Sequence, residues 1–257
     1  MTSKNKAATV LYRAAQKAAR QIDAAFGGLN VRMPLDTNAW QTAAHEWSST
    51  TQEYRLEAIQ ELLPDLPKPP SSGSFRRGEL KQCIRANFEA SSSAPADQLP
   101  QLLDTGFDAL RVLSEQYTLE QCSAQATTNG VHVEITTAYI GSKIPLDLIE
   151  TPTARPVWTY RIRIENVGEK KVQLLGRQWL ILTSEGHQHA VVPRGSTGVV
   201  GCTPILQPGE CFQYYSATDL STPNGTMKGS FQMVELGPGN TPNLPFDATI
   251  PTVALRS

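Results

Sequence analysis

The sequence predicts an α+β multidomain protein: an N-terminal helical bundle followed by an all-β sandwich. Three observations predict it. Apolar residues recur at helical spacing through residues 1–120. The period changes to two after Cys122. Gly and Pro then punctuate short alternating segments to the end of the chain. The boundary falls between residues 1–120 and residues 121–257.

The first helix runs from Ala7 to Phe26. Leu11, Ala14, Ala18, Ile22 and Ala25 form its apolar stripe, and Lys17 and Arg20 lie off it. Gly27-Gly28 ends it, since glycine reaches a left-handed C-cap without a Cβ clash. An inserted helix is expected over residues 36–63, where Trp40, Trp47 and Tyr54 fall seven apart and Ala43, Ala44, Thr51 and Ala58 fill the same face. The proline-rich stretch from Pro64 to Ser74 reads as a loop. Two more helices follow. Arg76–Ala90 turns Leu80, Cys83, Ile84 and Phe88 inward, and Asp97–Tyr117 turns Leu99, Leu102, Leu103, Phe107, Leu110 and Leu113 inward.

In the second half, Val131, Val133, Ile135, Thr137 and Tyr139 alternate with His132, Glu134, Thr136 and Ala138. The clearest strand is Trp158–Glu165, with Trp158, Tyr160, Ile162 and Ile164 on one face and a turn at Asn166-Val167-Gly168-Glu169. Further strands are expected near Gln173–Thr183, Val199–Leu206, Cys211–Ala217 and Lys228–Glu235. Short strands at this spacing make an antiparallel sandwich.

The composition excludes several function classes. With 257 residues, 40% of them hydrophobic, the chain can bury real cores, and a net charge of −1 argues against a dedicated nucleic-acid binder. No run approaches the ~20 apolar residues that span a bilayer. Cys83, Cys122, Cys202 and Cys211 lack zinc or redox spacing and read as reduced thiols. His187 and His189 share one side of a strand, but no Cys or Asp pair completes a coordination set, so they read as solvent-facing and no metal is expected. Ser184, Ser216, Glu210 and Asp219 have no catalytic motif context, and no enzyme is expected. The basic, acid-poor start is compatible with mitochondrial import.

Gly195, Gly198 and Gly201, with Arg194 beside them, admit two readings. Backbone amides of a glycine loop can converge on a phosphate. The same glycines serve a tight turn between strands, which is preferred because no helix N-terminus follows Gly201. Arg177, in an otherwise apolar strand, either pairs with a carboxylate inside the sandwich or faces solvent.

The stretch Gln173-Leu-Leu-Gly-Arg-Gln-Trp-Leu-Ile-Leu-Thr-Ser-Glu-Gly186 resembles the ApaG family's Arg-x-Trp strand and turn. Gly198-Val-Val-Gly201, Leu206-Gln-Pro-Gly-Glu210, Tyr215-Ser216, Leu220–Met233, Ile250-Pro251 and Leu255 follow in that family's order. Two departures stand out. Gly195-Ser-Thr-Gly198 replaces the usual Gly-x-Gly, and Gln178 stands where His is usual. The resemblance implies that the sandwich is immunoglobulin- or fibronectin-III-like and serves as a binding or interaction module.

Leu11-Tyr12-Arg13 is the LYR tripeptide, and Ile84-Arg85-Ala-Asn-Phe88 with Asp97, Leu102-Leu103-Asp-Thr-Gly106 and Leu110 resembles the later helices of the LYR-motif family. That resemblance implies a helical bundle binding an acylated mitochondrial acyl carrier protein. Tyr12, Arg13, Lys17, Arg20, Arg77, Lys81 and Arg85, with Arg76 adjacent, would meet the acidic carrier. Read from the residues alone, the same cations also suit solvated helix faces.

The expected function is a non-enzymatic adaptor or assembly protein, mitochondrial by resemblance and cytoplasmic as the alternative. No cofactor is expected beyond the acyl-phosphopantetheine of a partner carrier. The sandwich would engage a larger protein assembly. The alternative function is a pyrophosphate- or nucleotide-binding module built on Arg194, Gly195, Gly198 and Gly201.

Overall fold

The computed structural model describes residues 3–66, 69–143 and 154–257, which leaves outside it the first two residues of the basic start and part of the proline-rich loop. In chain order the elements are α1 (Ser3–Phe26), β1 (Gly28–Asn30), β2 (His45–Ser48), α2 (Thr51–Leu62), β3 (Ser74–Arg76), α3 (Glu79–Ala90), α4 (Leu99–Gln121), β4 (Ser123–Thr128), β5 (Val131–Lys143), β6 (Arg155–Asn166), β7 (Val172–Thr183), β8 (Gln188–Thr197), β9 (Ile205–Leu206), β10 (Cys211–Asp219), β11 (Asn224–Leu236) and β12 (Pro242–Arg256). Helices precede a β-sandwich, as the periodicity predicts. Two compact units result, one of Met1–Met33 with Gln52–Glu120, the other of Pro34–Thr51 with Gln121–Ser257.

In the helical unit, Leu11, Ala15, Ala19 and Ile22 are the buried apolar positions of α1 among the described residues, and Gln16 is buried beside them. Ala15 and Ala19 take the places expected for Ala14 and Ala18, and Ala25 is exposed. The stripe is rotated by one residue because α3 packs on the flank carrying Tyr12 and Gln16: the Gln16 side-chain amide donates to the Lys81 carbonyl at 3.1 Å, and Tyr12 meets Phe88 edge-on at 5.1 Å. α4 approaches α1 at Gly106, where an added Cβ would stand 2.5 Å from Leu11 Cδ2. Phe107, expected inward, is 53% exposed. The correction follows from helix geometry: Gly106 holds the facing position, and the next side chain points about 100° away. Gln116 clamps the chain after β1, accepting from the Arg32 amide at 2.8 Å and donating to the Arg32 carbonyl at 2.7 Å.

The expected helix over 36–63 does not form as one element. A short 3₁₀ turn at Ala39–Thr42 ends on Ala43, whose φ of 49° is left-handed and stops helical propagation. β2 then pairs antiparallel with β10, Trp47 opposite Phe212 and Ser48 opposite Cys211. Only from Thr51 does a helix run. Tyr54 and Ala58 are buried, while Trp47 is 56% exposed, so the seven-residue spacing does not mark a common face. The segment 34–51 belongs to the sandwich unit.

The sandwich packs a sheet ordered β2-β10-β6-β5-β4 on a second ordered β12-β11-β7-β8, with β9 beside β7. Trp158, Tyr160, Ile162 and Ile164 of β6 all enter the core, against Trp179 and Phe231 among others. The opposite face of β6 is buried too: Arg161 is 3% exposed and Arg163 1%. Arg163 donates to Ser48 Oγ and Gln213 Oε1 at 2.9 Å each, and to the Ser49 carbonyl at 2.6 Å. Glu165 accepts from the Thr51 amide at 2.9 Å. The strand expected over Val199–Leu206 is instead a tight turn followed by the two-residue β9. No helix among the described residues is long and apolar enough to cross a membrane.

Trp158 has no exposed surface, and its indole donates to the Arg256 carbonyl at 2.9 Å. Trp158→Ala should therefore destabilise the sandwich by about 3–5 kcal/mol in urea denaturation. A loss under about 1 kcal/mol would contradict this packing.

Candidate functional site

Two groups of residues were singled out by the sequence, and each lies within one unit. The first is basic. Arg13, Lys17 and Arg20 are exposed on α1, and Arg77, Lys81 and Arg85 are exposed at and along α3, with Tyr12 half-buried between the helices. Three rungs set the two helices antiparallel: Gly78 N to Asp23 Oδ2 at 3.1 Å, Gln16 to the Lys81 carbonyl, and Tyr12 on Phe88. The rungs bring Arg13 to the level of Arg85, and Arg20 to that of Lys81 and Arg77. Part of this charge is already engaged. Arg85 bonds Glu89 at 2.7 Å, which holds its guanidinium above the usual arginine range, and Arg77 donates to the Asp23 carbonyl at 3.3 Å. Tyr12 and Phe88 act as interhelix packing, so the exposed cations are the chemistry this flank offers.

The second group is the glycine stretch. Val199 and Cys202 exchange backbone hydrogen bonds of 2.8 and 2.7 Å across Val200 and Gly201, both at positive φ (44° and 80°). Two left-handed residues inside such a closure make a type I′ hairpin turn. A β-branched residue pays strain in that region, and Val200 holds it by packing against the sandwich core. Other amides are also spent: Gly195 donates to Gln232 Oε1 at 3.2 Å and Gly198 to the Leu175 carbonyl at 3.0 Å. Arg194 forms a two-point pair with Asp247, at 2.9 and 3.1 Å. The stretch thus forms a turn, in which the amides of Gly195, Gly198, Val199 and Cys202 and the Arg194 side chain are bonded within the chain.

Arg177 takes neither place left open to it. It donates to the carbonyls of Thr197 and Gly198, which ties β7 to the start of the turn. Nothing in the sequence spacing marks this, because the acceptors are main-chain atoms. His187 and His189 part company: His187 is exposed beside Glu185, while His189 Nε2 lies 3.5 Å from Asp219 Oδ1. Arg155 donates to the other oxygen of Asp219 at 3.0 Å. Burial would push Asp219 up, but the bonds from Arg155 and His189 outweigh it and hold the carboxyl below its usual range. Among the described residues, no three His, Cys, Asp or Glu side chains gather as a metal site. Burial pushes the Cys211 thiol up to about 11, which leaves it protonated and unreactive at neutral pH.

Comparison with known proteins bears on the sandwich. The model of the ApaG domain matches residues 150–235. "Protein ApaG" of Thiobacillus denitrificans is 40% identical over 126 residues, 49% of this chain and 88% of that protein. "Protein ApaG" of Dechloromonas aromatica is 44% identical over 103 residues, 40% of this chain and 75% of that protein. A solved structure described as the putative ApaA protein from Bordetella pertussis is 32% identical, with a TM-score of 0.41, covering 49% of this chain and 92% of its own.

The turn geometry separates two glycines. A Cβ on Gly198, at φ 57°, would run into the Cys202 carbonyl oxygen, whereas one on Gly201, at φ 80°, would meet open space. Gly198→Ala should cost about 3 kcal/mol or more, strain plus overpacking, and Gly201→Ala about 1 kcal/mol, strain alone. Equal losses in urea denaturation would contradict the turn as described.

Proposed function

This chain belongs to the ApaG family, and from that premise we propose that it is a non-enzymatic adaptor whose sandwich serves protein interaction and whose helical unit, LYR-like, binds an acylated acyl carrier protein. The observation that supports the second half is the antiparallel seating of α1 on α3, a seam flanked by two helices on which Arg13, Lys17, Arg20, Lys81 and Arg85 are exposed. Acyl carrier proteins present acidic helices and a phosphopantetheine phosphate, so such a seam attracts them and sets their orientation. The acyl chain adds an apolar contact that salt does not screen. Catalysis is not needed for this role, and the buried thiols and the Asp219 pair are accounted for as structure. The carrier sets the compartment: the LYR resemblance points to mitochondria, and the named relatives are bacterial.

The pyrophosphate reading is the weaker one here, because the Gly195 and Gly198 amides and Arg194 already have partners. Phosphate binding there would require breaking the Arg194–Asp247 pair.

The test is recovery of purified acylated carrier protein by the wild-type chain and by Arg13→Glu/Lys17→Glu at matched helicity. Both residues are exposed, so their reversal removes attraction and adds repulsion without opening a cavity. Binding should fall at least tenfold in the variant. For the wild type it should weaken with salt without vanishing. Equal recovery by both chains would overturn the carrier-binding reading.

A further inference from the structure

β10 would be the edge of its sheet but for β2, and β2 comes from a segment far outside the residues 150–235 that match the ApaG domain. The chain therefore lays a short strand of its own on a sheet edge of the family's sandwich. We propose that this β10 edge is a strand-addition site for an extended partner peptide carrying acidic, aromatic and small hydroxyl residues in succession, and that Ala44–Ser49 is a built-in occupant that such a peptide displaces. The proposal does not rest on the carrier-protein reading.

The seated segment shows the chemistry that the edge selects. Main-chain pairing supplies the frame: four residue pairs from Cys211↔Ser48 to Tyr214↔His45, extended by the Tyr215 amide donating to the Ala44 carbonyl at 2.9 Å. An edge strand with ladder groups facing outward takes another strand whatever its sequence. Side chains then choose. Gln213 donates to Glu46 Oε1 at 2.9 Å, which selects an oxygen acceptor, met here by an acid. Phe212 receives the Trp47 ring edge-on at 5.8 Å, which selects an aromatic. Arg163 donates to Ser48 Oγ and to the Ser49 carbonyl, which selects a small hydroxyl on an extended backbone. A cleft of about 250 Å³ lined by Asp36, Ala39, His45, Glu46, Gln213 and Tyr215 continues beside the pairing.

The occupant is built to be exchangeable. β2 has four residues, and three of them are exposed, Trp47 at 56%. Its own side chains bury little, so the hold is main-chain pairing plus a few polar anchors that a second peptide can reproduce. Tethering gives the built-in strand an effective concentration in the millimolar range, which shuts out weak peptides and admits strong ones.

The test uses the full chain and a fluorescent synthetic peptide of residues Gln41–Thr51. Glu46→Pro/Trp47→Ala removes a ladder amide, the acid and the indole from the built-in strand. If this variant keeps wild-type circular dichroism and a cooperative melt, it should bind the peptide at least tenfold more tightly than wild type does. A peptide with Trp47→Ala should bind at least tenfold more weakly than the parent. No binding by the folded variant, or equal binding by variant and wild type, overturns the proposal. Should the variant fail to fold, amide hydrogen exchange on the wild type decides. The Tyr215 amide should exchange at least tenfold faster than central β6 amides if β2 lifts off locally; equal protection overturns the proposal.

Discussion

The guanidinium of Arg163 stands in the middle of a five-stranded sheet, on β6 between β5 and β10, with 1% of the residue exposed. Removing a cation from water costs several kcal/mol unless every donor finds an acceptor in good geometry. Gln213 on the neighbouring strand meets part of that demand. Further acceptors come from far away in sequence, Ser48 Oγ and the Ser49 carbonyl. Glu165, two residues along the same face, accepts from the Thr51 amide. These bonds hold residues 34–51 as part of the sandwich although some seventy residues of helical unit intervene before β4. The sheet order, the exposure of Trp47 and the start of α2 all follow from that capture.

A second constraint shapes the other sheet. β7 carries Arg177 out to the turn after β8, where it binds two carbonyls, and the turn closes on Val200 and Gly201. Here too a charged side chain is spent on main-chain acceptors. The Gly195 and Gly198 amides are likewise bonded within the chain, to Gln232 Oε1 and the Leu175 carbonyl.

Much of this architecture was legible in the sequence, for a physical reason. Period-two alternation reports one buried face, and Trp158, Tyr160, Ile162 and Ile164 enter the core as that pattern requires. The complementary face was not legible. Arg161, Arg163 and Glu165 alternate in the same way whether water or protein covers them. β2 was misread for a related reason: its pairing partner lies about 165 residues away, and tertiary capture overrode the helical spacing of Trp40, Trp47 and Tyr54. On α1 the helix was clear, while the one-residue rotation of its stripe depended on which flank α3 would choose. The basic residues were correctly expected at the surface. That α1 and α3 run side by side in antiparallel register could be learned only from Gln16, Tyr12 and Asp23 meeting their partners.

A double-mutant cycle between Arg163→Met and Ser48→Ala in the full chain, read by urea denaturation, tests most directly whether a buried arginine recruits the distant strand. A hydrogen bond to a buried charge contributes about 1.5–3 kcal/mol, so the account predicts a coupling energy of at least about 1 kcal/mol between two residues 115 positions apart. A coupling energy indistinguishable from zero would contradict it.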